Sequence, residues 1–202
     1  MRKLILISGL AIAATQLASA DVFTIDRDSF GGTLCSAADP CGTVTVTGTS
    51  VLHVVTQLKS GFGIFSNKDA FGFSTVGSNT GVTLSNFSSN LFNGSGGSGN
   101  EGGWGGFEFR VDGPGGSSAV QTLSFDVTRF GNAFTSPADI EQGATGGNGS
   151  TIFGLHIRDM ESGLTGYTGV TPQTATPEPA SLALLGLGGI AVGVFRRRKK
   201  QS

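Results

Sequence analysis

Most of the side chains in this 202-residue chain that could do chemistry sit on short alternating runs. Glu108 and Arg110 fall between Phe107, Phe109 and Val111. Asp126 falls between Phe125 and Val127, and His156 and Arg158 alternate with Leu155 and Ile157. An apolar/polar period of two puts the polar set on one face of a strand and the apolar set on the other. If these strands are neighbours, Arg110, Asp126 and His156 share a surface. That surface is either a ligand-binding face for a sugar or a solvated face with cross-strand ion pairs. Trp104, the only Trp, stands in Gly103-Trp104-Gly105. Its ring either stacks on a sugar or plugs one end of the domain. These four residues, Trp104, Arg110, Asp126 and His156, are the candidate ligand-binding set.

Catalytic and metal patterns are thinner. Glu101 and Glu108 are a candidate acid/base pair, whose role depends on a carboxylate separation the sequence does not set. Asp26, Asp28, Asp112, Asp126 and Asp139 supply hard oxygen ligands that suit calcium, without an EF-hand spacing. The sequence contains no G-x-S-x-G elbow, HExxH pair or Walker loop. Two His and two Cys give no zinc motif. Cys35 and Cys41 flank a turn at Asp39-Pro40, a spacing suited to a disulfide staple in an oxidising compartment. No resident cofactor is expected beyond the calcium candidate.

The elements that must carry these residues are strands. Besides the three runs above, Val22 to Asp26, Thr43 to Thr47, Ala70 to Val76 and Val82 to Phe87 read as strands. Val51 to Leu58 is apolar on both faces and fits a central strand or a short helix. Phe107–Val111 and Leu123–Val127, joined by the turn-rich Asp112-Gly-Pro-Gly-Gly116, read as an antiparallel pair. About eight short runs separated by Gly, Ser, Asn and Asp predict an all-β, antiparallel β-sandwich or jelly-roll-like domain. Fourteen Phe lie between Asp21 and Thr176, enough large rings for its core. Asn93 to Gly106, mostly Gly, Ser and Asn, reads as a long flexible loop. The stretch from Asp21 to Thr176 holds 6 basic and 13 acidic residues, so no basic patch marks it for nucleic acid.

The two ends are of another kind. Met1-Arg2-Lys3, an apolar run and Ala18-Ser19-Ala20 form a secretory signal peptide with cleavage expected after Ala20. At the other end Pro177-Glu178-Pro179 precedes sixteen uncharged residues, Ala180 to Phe195, and then Arg196, Arg197, Arg198, Lys199 and Lys200. A helix of sixteen residues is about 24 Å long, close to a span once the flanking cations snorkel. The cations place the tail in the cytoplasm and the body outside.

This tail resembles the PEP-CTERM sorting signal. The likeness covers roughly Thr176 to Lys200, with the Pro-Glu-Pro intact. It implies a Gram-negative source, export and recognition by an exosortase, a membrane protease that cuts near the motif. The protein would be tethered to the inner membrane transiently and then displayed or released. Proteins of this kind often accompany exopolysaccharide. The expected organisation is therefore residues 1–20 signal peptide, 21–170 β domain, 171–179 linker and motif, 180–195 transmembrane helix and 196–202 basic tail. The expected role is a structural or adhesive one within exopolysaccharide or biofilm, without enzymatic activity. A carbohydrate-binding module, with or without calcium, and a glycoside hydrolase are the alternatives.

Overall fold

The structure, a computed structural model, describes residues 20–29, 34–67, 69–94, 97–147 and 151–171. The expected signal peptide up to residue 19, the Pro177-Glu178-Pro179 motif, the apolar run and the basic cluster Arg196–Lys200 lie outside the described residues. Among the described residues no helix is long and apolar enough to cross a membrane.

Fourteen strands follow one another: β1 Ala20–Asp28, β2 Gly42–Gly48, β3 Val51–Leu58, β4 Phe62–Phe65 and β5 Phe71–Phe73. Then come β6 Val82–Ser85, β7 Asn93–Gly94, β8 Gly99–Asn100, β9 Gly106–Phe107 and β10 Phe109–Asp112. The last are β11 Ala119–Val120, β12 Thr122–Arg129, β13 Gly154–Asp159 and β14 Thr165–Thr171, with one 3₁₀ turn at Pro137–Ile140. All strand pairings are antiparallel, in the order β6-β12-β3-β2-β1-β14-β13-β5-β10-β7. The two ends of this order, β6 and β7, return alongside each other, so the sheet is a nearly closed barrel. β4 and β11 pair off this path, and β8 and β9 form a separate two-stranded ribbon.

The all-β antiparallel expectation holds. Thr43-Val44-Thr45-Val46-Thr47 shows why: β-branched residues suit the pleat, and Val44 and Val46 are buried while the threonines are only partly covered. Val51–Leu58 is a strand, buried at Leu52, Val54, Thr56 and Leu58. The interior is a cluster of phenylalanines that join the two halves of the barrel. Phe71 meets Phe125 edge-on at 5.4 Å, Phe23 meets Phe153 at 5.2 Å and Phe87 stacks on Phe125 at 5.6 Å. Full burial of a ring such as Phe71, Phe125 or Phe153 contributes about 1.5–3 kcal/mol.

The expected pairing of Phe107–Val111 with Leu123–Val127 is not formed. β10 pairs with β5 and β7, and β12 pairs with β3 and β6. The loop between them, with β11, is long enough to carry the chain to the other half of the barrel. The Cys35–Cys41 disulfide is present, with Cα atoms 5.3 Å apart. Asp28 holds the same loop by accepting the Leu34 amide at 2.7 Å and that of Cys35 at 3.3 Å.

Candidate functional site: a roofed face and an open polar cleft

Four strands of one half carry glycines or an arginine in a single cross-strand row. Gly169 of β14 is paired with Gly154 of β13, Gly154 with Gly72 of β5, and Gly72 with Arg110 of β10. Phe71 and Phe73 on either side of Gly72 are buried in the barrel interior, so Gly72 belongs to the outer face. Three adjacent glycines leave a shallow trough there. The Gly-rich segment between β7 and β10 fills it. A Cβ at Gly72 would lie 2.6 Å from Glu101 Cγ and 2.8 Å from the Phe107 ring. One at Gly154 would lie 2.8 Å from the Phe107 ring, and one at Gly169 would lie 3.0 Å from the Trp104 indole. Glu101, Trp104 and Phe107 are thereby buried.

This overturns the reading of Asn93 to Gly106 as a free loop. Its described residues form a roof over the outer face, stitched by short backbone bonds. Trp104 N–H donates to the Glu101 carbonyl at 2.8 Å, and Gly106 and Thr145 exchange two bonds of 2.9 Å. Gly103 and Gly105 take positive φ, which lets the turn reverse within a few residues. Trp104 is 3% exposed, so the structure rejects a ring free to stack on a sugar. The indole packs into the trough beside Gly169.

The roof also explains His156. It lies on the outer face as its period requires, yet it is buried. Its ring stacks on Tyr167 at 4.3 Å and meets Phe65 edge-on at 5.0 Å. Gly102 of the roof presses on the far ring, since a Cβ there would overlap the Tyr167 carbons. Burial pushes the imidazole down from its usual value, keeping it neutral.

Arg110, Asp126 and His156 therefore do not share a surface. β10 and β13 flank β5, but β12 lies on the opposite half, next to β3 and β6. Arg110 bonds Asp69 and lies 3.9 Å from an Asp112 oxygen. Asp69 adopts φ 63°, a left-handed conformation that Asp tolerates, and its amide donates to Asp112 at 3.2 Å. Asp126 instead bonds His53 Nδ1 at 2.6 Å and accepts from Asn86 at 2.7 Å on an open face. The Asn86 and His53 hydrogen bonds hold its carboxyl below the usual range.

Glu101 is the most perturbed carboxyl. It is 0% exposed, and neither oxygen has a hydrogen-bond partner among the described residues. Burial, joined by the Asp69 and Asp112 carboxylates and partly offset by Arg110, pushes it up to about 9. It stays protonated at neutral pH, as an uncharged wedge in the trough. Glu108 is different: it accepts the Thr75 amide and hydroxyl, both at 2.9 Å, and Asn79 at 3.4 Å. Glu101 and Glu108 do not face a common space. The five aspartates considered for calcium are spread over β1, β10, β12 and the 3₁₀ turn. Asp139, for example, caps that turn by accepting from Thr135 and Ser136. Among the described residues no group of three or more His, Cys, Asp or Glu side chains converges on a metal-sized site.

An open cleft of about 490 Å³ runs along the edge of the roof. One wall is the β8–β9 ribbon, with Ser98, Gly99, Asn100, Gly106 and Phe107; the other is Ser74, Glu108, Gln142 and Thr145. Its polar side chains are hydroxyls and amides with one carboxylate and no cation, and apolar surface makes up the rest of the lining. Among the side chains of these walls the sequence points to Glu108, on the polar face of its strand and as half of an acid/base pair. Ser98 and Asn100 are hidden in the low-complexity run, and Gln142 reaches Ser74 only through an isolated bridge outside the named strands.

A family model of the PEP-CTERM protein-sorting motif matches residues 175–199. The chain carries a PEP-CTERM sorting signal. The PEP-CTERM motif marks an exported surface protein that an exosortase, a membrane protease, processes after transient anchoring. No curated protein and no solved structure matches the chain. The PEP-CTERM match begins only a few residues after β14 ends at Thr171.

Proposed function

We propose that the β domain is a non-catalytic structural or adhesive module that binds exopolysaccharide at the cell surface, delivered there by its PEP-CTERM tail. The observation that carries this reading is the open cleft between the β8–β9 ribbon and Ser74, Gln142 and Thr145. Its hydroxyls and amides match the donors and acceptors of sugar hydroxyls, and its open form admits a chain rather than a monosaccharide. Catalysis is not part of the reading, because Glu101 faces the trough and not the cleft and Glu108 is held by three donors. In the same reading Ala180 to Phe195 spans the inner membrane, Arg196 to Lys200 stay in the cytoplasm, and exosortase cuts near Pro177–Pro179.

The test is co-sedimentation of the protein recovered from its producing cells with the exopolysaccharide of those cells. Saturable binding that Asn100→Ala and Gln142→Ala weaken tenfold or more supports the reading. Absence of saturable binding rejects it. A parallel arm with calcium and with EDTA reads whether a metal takes part.

A further inference from the structure

The two ends of the described chain leave the barrel at the same end. β1 starts at Ala20, and β14 finishes at Thr171, paired with Thr24. The strands are neighbours and antiparallel, so the start of one lies beside the finish of the other. The turn from β2 to β3 and the finish of β12 are at this end too, because Thr47 pairs with Ala20 and Thr128 with Val51.

Exposed apolar side chains occur at both ends of the barrel, Met160 and Leu164 at the far one and four at this one, among them the most exposed ring. Phe130, just past β12, is 91% exposed, and Val22, Val51 and Val76 are each about half exposed. The Phe130 amide donates to the Gly81 carbonyl, and Arg129 donates to the Val76 carbonyl, so these loops adjoin one another.

What lies against this end follows from chain length. Eight residues, 172 to 179, separate β14 from the sixteen-residue apolar run. Fully extended they reach at most about 28 Å. A domain of about 150 residues has a radius of gyration of about 15 Å, so a path around half its girth is about 60 Å. The tether is too short for the opposite end to face the bilayer.

We propose that the anchored protein rests on the lipid bilayer with this end down, and that Phe130 with Val51 and Val76 sits at the headgroup boundary. Aromatic rings favour that depth. The occupant of this end is the bilayer in which the protein's own tail is held. The proposal rests on the anchoring part of the function above and not on its polymer.

The test uses the full chain reconstituted into phosphatidylcholine vesicles, with and without brominated acyl chains. Phe130→Trp adds an indole at this end and Leu164→Trp adds one at the opposite end, in the β13–β14 loop; both sites are exposed and tolerate the change. Relative to wild type, brominated lipid is expected to quench the added emission at 130 by half or more and that at 164 by less than a tenth. Equal quenching, stronger quenching at 164, or none at either site overturns the proposal. Vesicle flotation reads the anchoring separately, and a chain that fails to float removes both the anchor and the orientation. Failure of polymer co-sedimentation alone leaves the orientation standing.

Discussion

The two halves of the barrel carry the same polar residue types and use them in opposite ways. On the half built from β6, β12, β3 and β2, His53 and Asp126 pair on an open face, with side chains 48% and 18% exposed. On the half built from β14, β13, β5 and β10, His156 and Glu101 are sealed and uncharged at neutral pH. The difference is the row Gly169-Gly154-Gly72. Side chains on the open half's outer face leave no trough, whereas three adjacent glycines make a surface that a Gly-rich segment can lie flat against. Burial of Trp104 and Phe107 offsets the cost of ordering that segment.

Removing the anchor of the roof should have the largest effect. Trp104→Ala deletes a buried indole and is expected to cost about 3–5 kcal/mol by denaturant unfolding. A loss below about 1 kcal/mol would mean that the roof contributes little to stability.

Next in size is a pH dependence centred on Glu101. Glu101 releases its proton near 4.5 when unfolded and near 9 when folded. The folded state therefore holds the proton more tightly, and stability is greatest below the unfolded value and declines as pH rises towards 9. The decline between pH 4.5 and 7 is expected to be up to about 3 kcal/mol. Glu101→Gln should remove the larger part of it, leaving a smaller decline from Glu141, which burial and the neighbouring Asp21 push up to about 7, and leaving the acid-side loss. That loss belongs to Asp126, Asp139 and Asp159, whose lowered values give stability above the usual Asp range that disappears as pH falls. Unchanged pH profiles in the Gln variant would contradict the assignment.

Filling the trough should act more gently. Gly154→Ala places a Cβ 2.8 Å from the Phe107 ring, with an expected loss of about 1–3 kcal/mol. Hydrogen exchange should become faster at residues 99–107 and stay unchanged in β2 and β3. The smallest effect belongs to the open half. Asp126→Asn leaves a partly solvated pair and should cost less than about 1 kcal/mol by the same unfolding measurement.

How much of this was legible in the sequence divides along the same line. The strands whose inner and outer residues differ in polarity, such as Thr43–Thr47 and Thr122–Arg129, announce themselves by alternation. β14, Thr-Gly-Tyr-Thr-Gly-Val-Thr, does not, because its outer positions include glycine and its inner ones threonine. Phe-Gly-Phe at 71–73 and Phe-Gly-Leu at 153–155 read as alternation with a weak polar side. In the fold the glycines are where a second layer docks. Glycine pairing across β5, β13 and β14 depends on strand order and register, which periodicity does not contain. The same loss of information put Arg110, Asp126 and His156 on one imagined face and left Trp104 in a loop. The PEP-CTERM tail was legible because its signal is linear: ordered motifs that do not wait for a fold.

The measurement that tests the account most directly compares the two halves as binding surfaces. Exopolysaccharide co-sedimentation would be run on the wild type, on Asn100→Ala with Gln142→Ala at the cleft wall, and on His53→Ala with Asp126→Asn on the open half. Binding is expected to fall tenfold or more in the first pair and to stay within twofold of wild type in the second. Loss of binding in the second pair with the first unaffected would place the ligand on the open face and contradict that expectation.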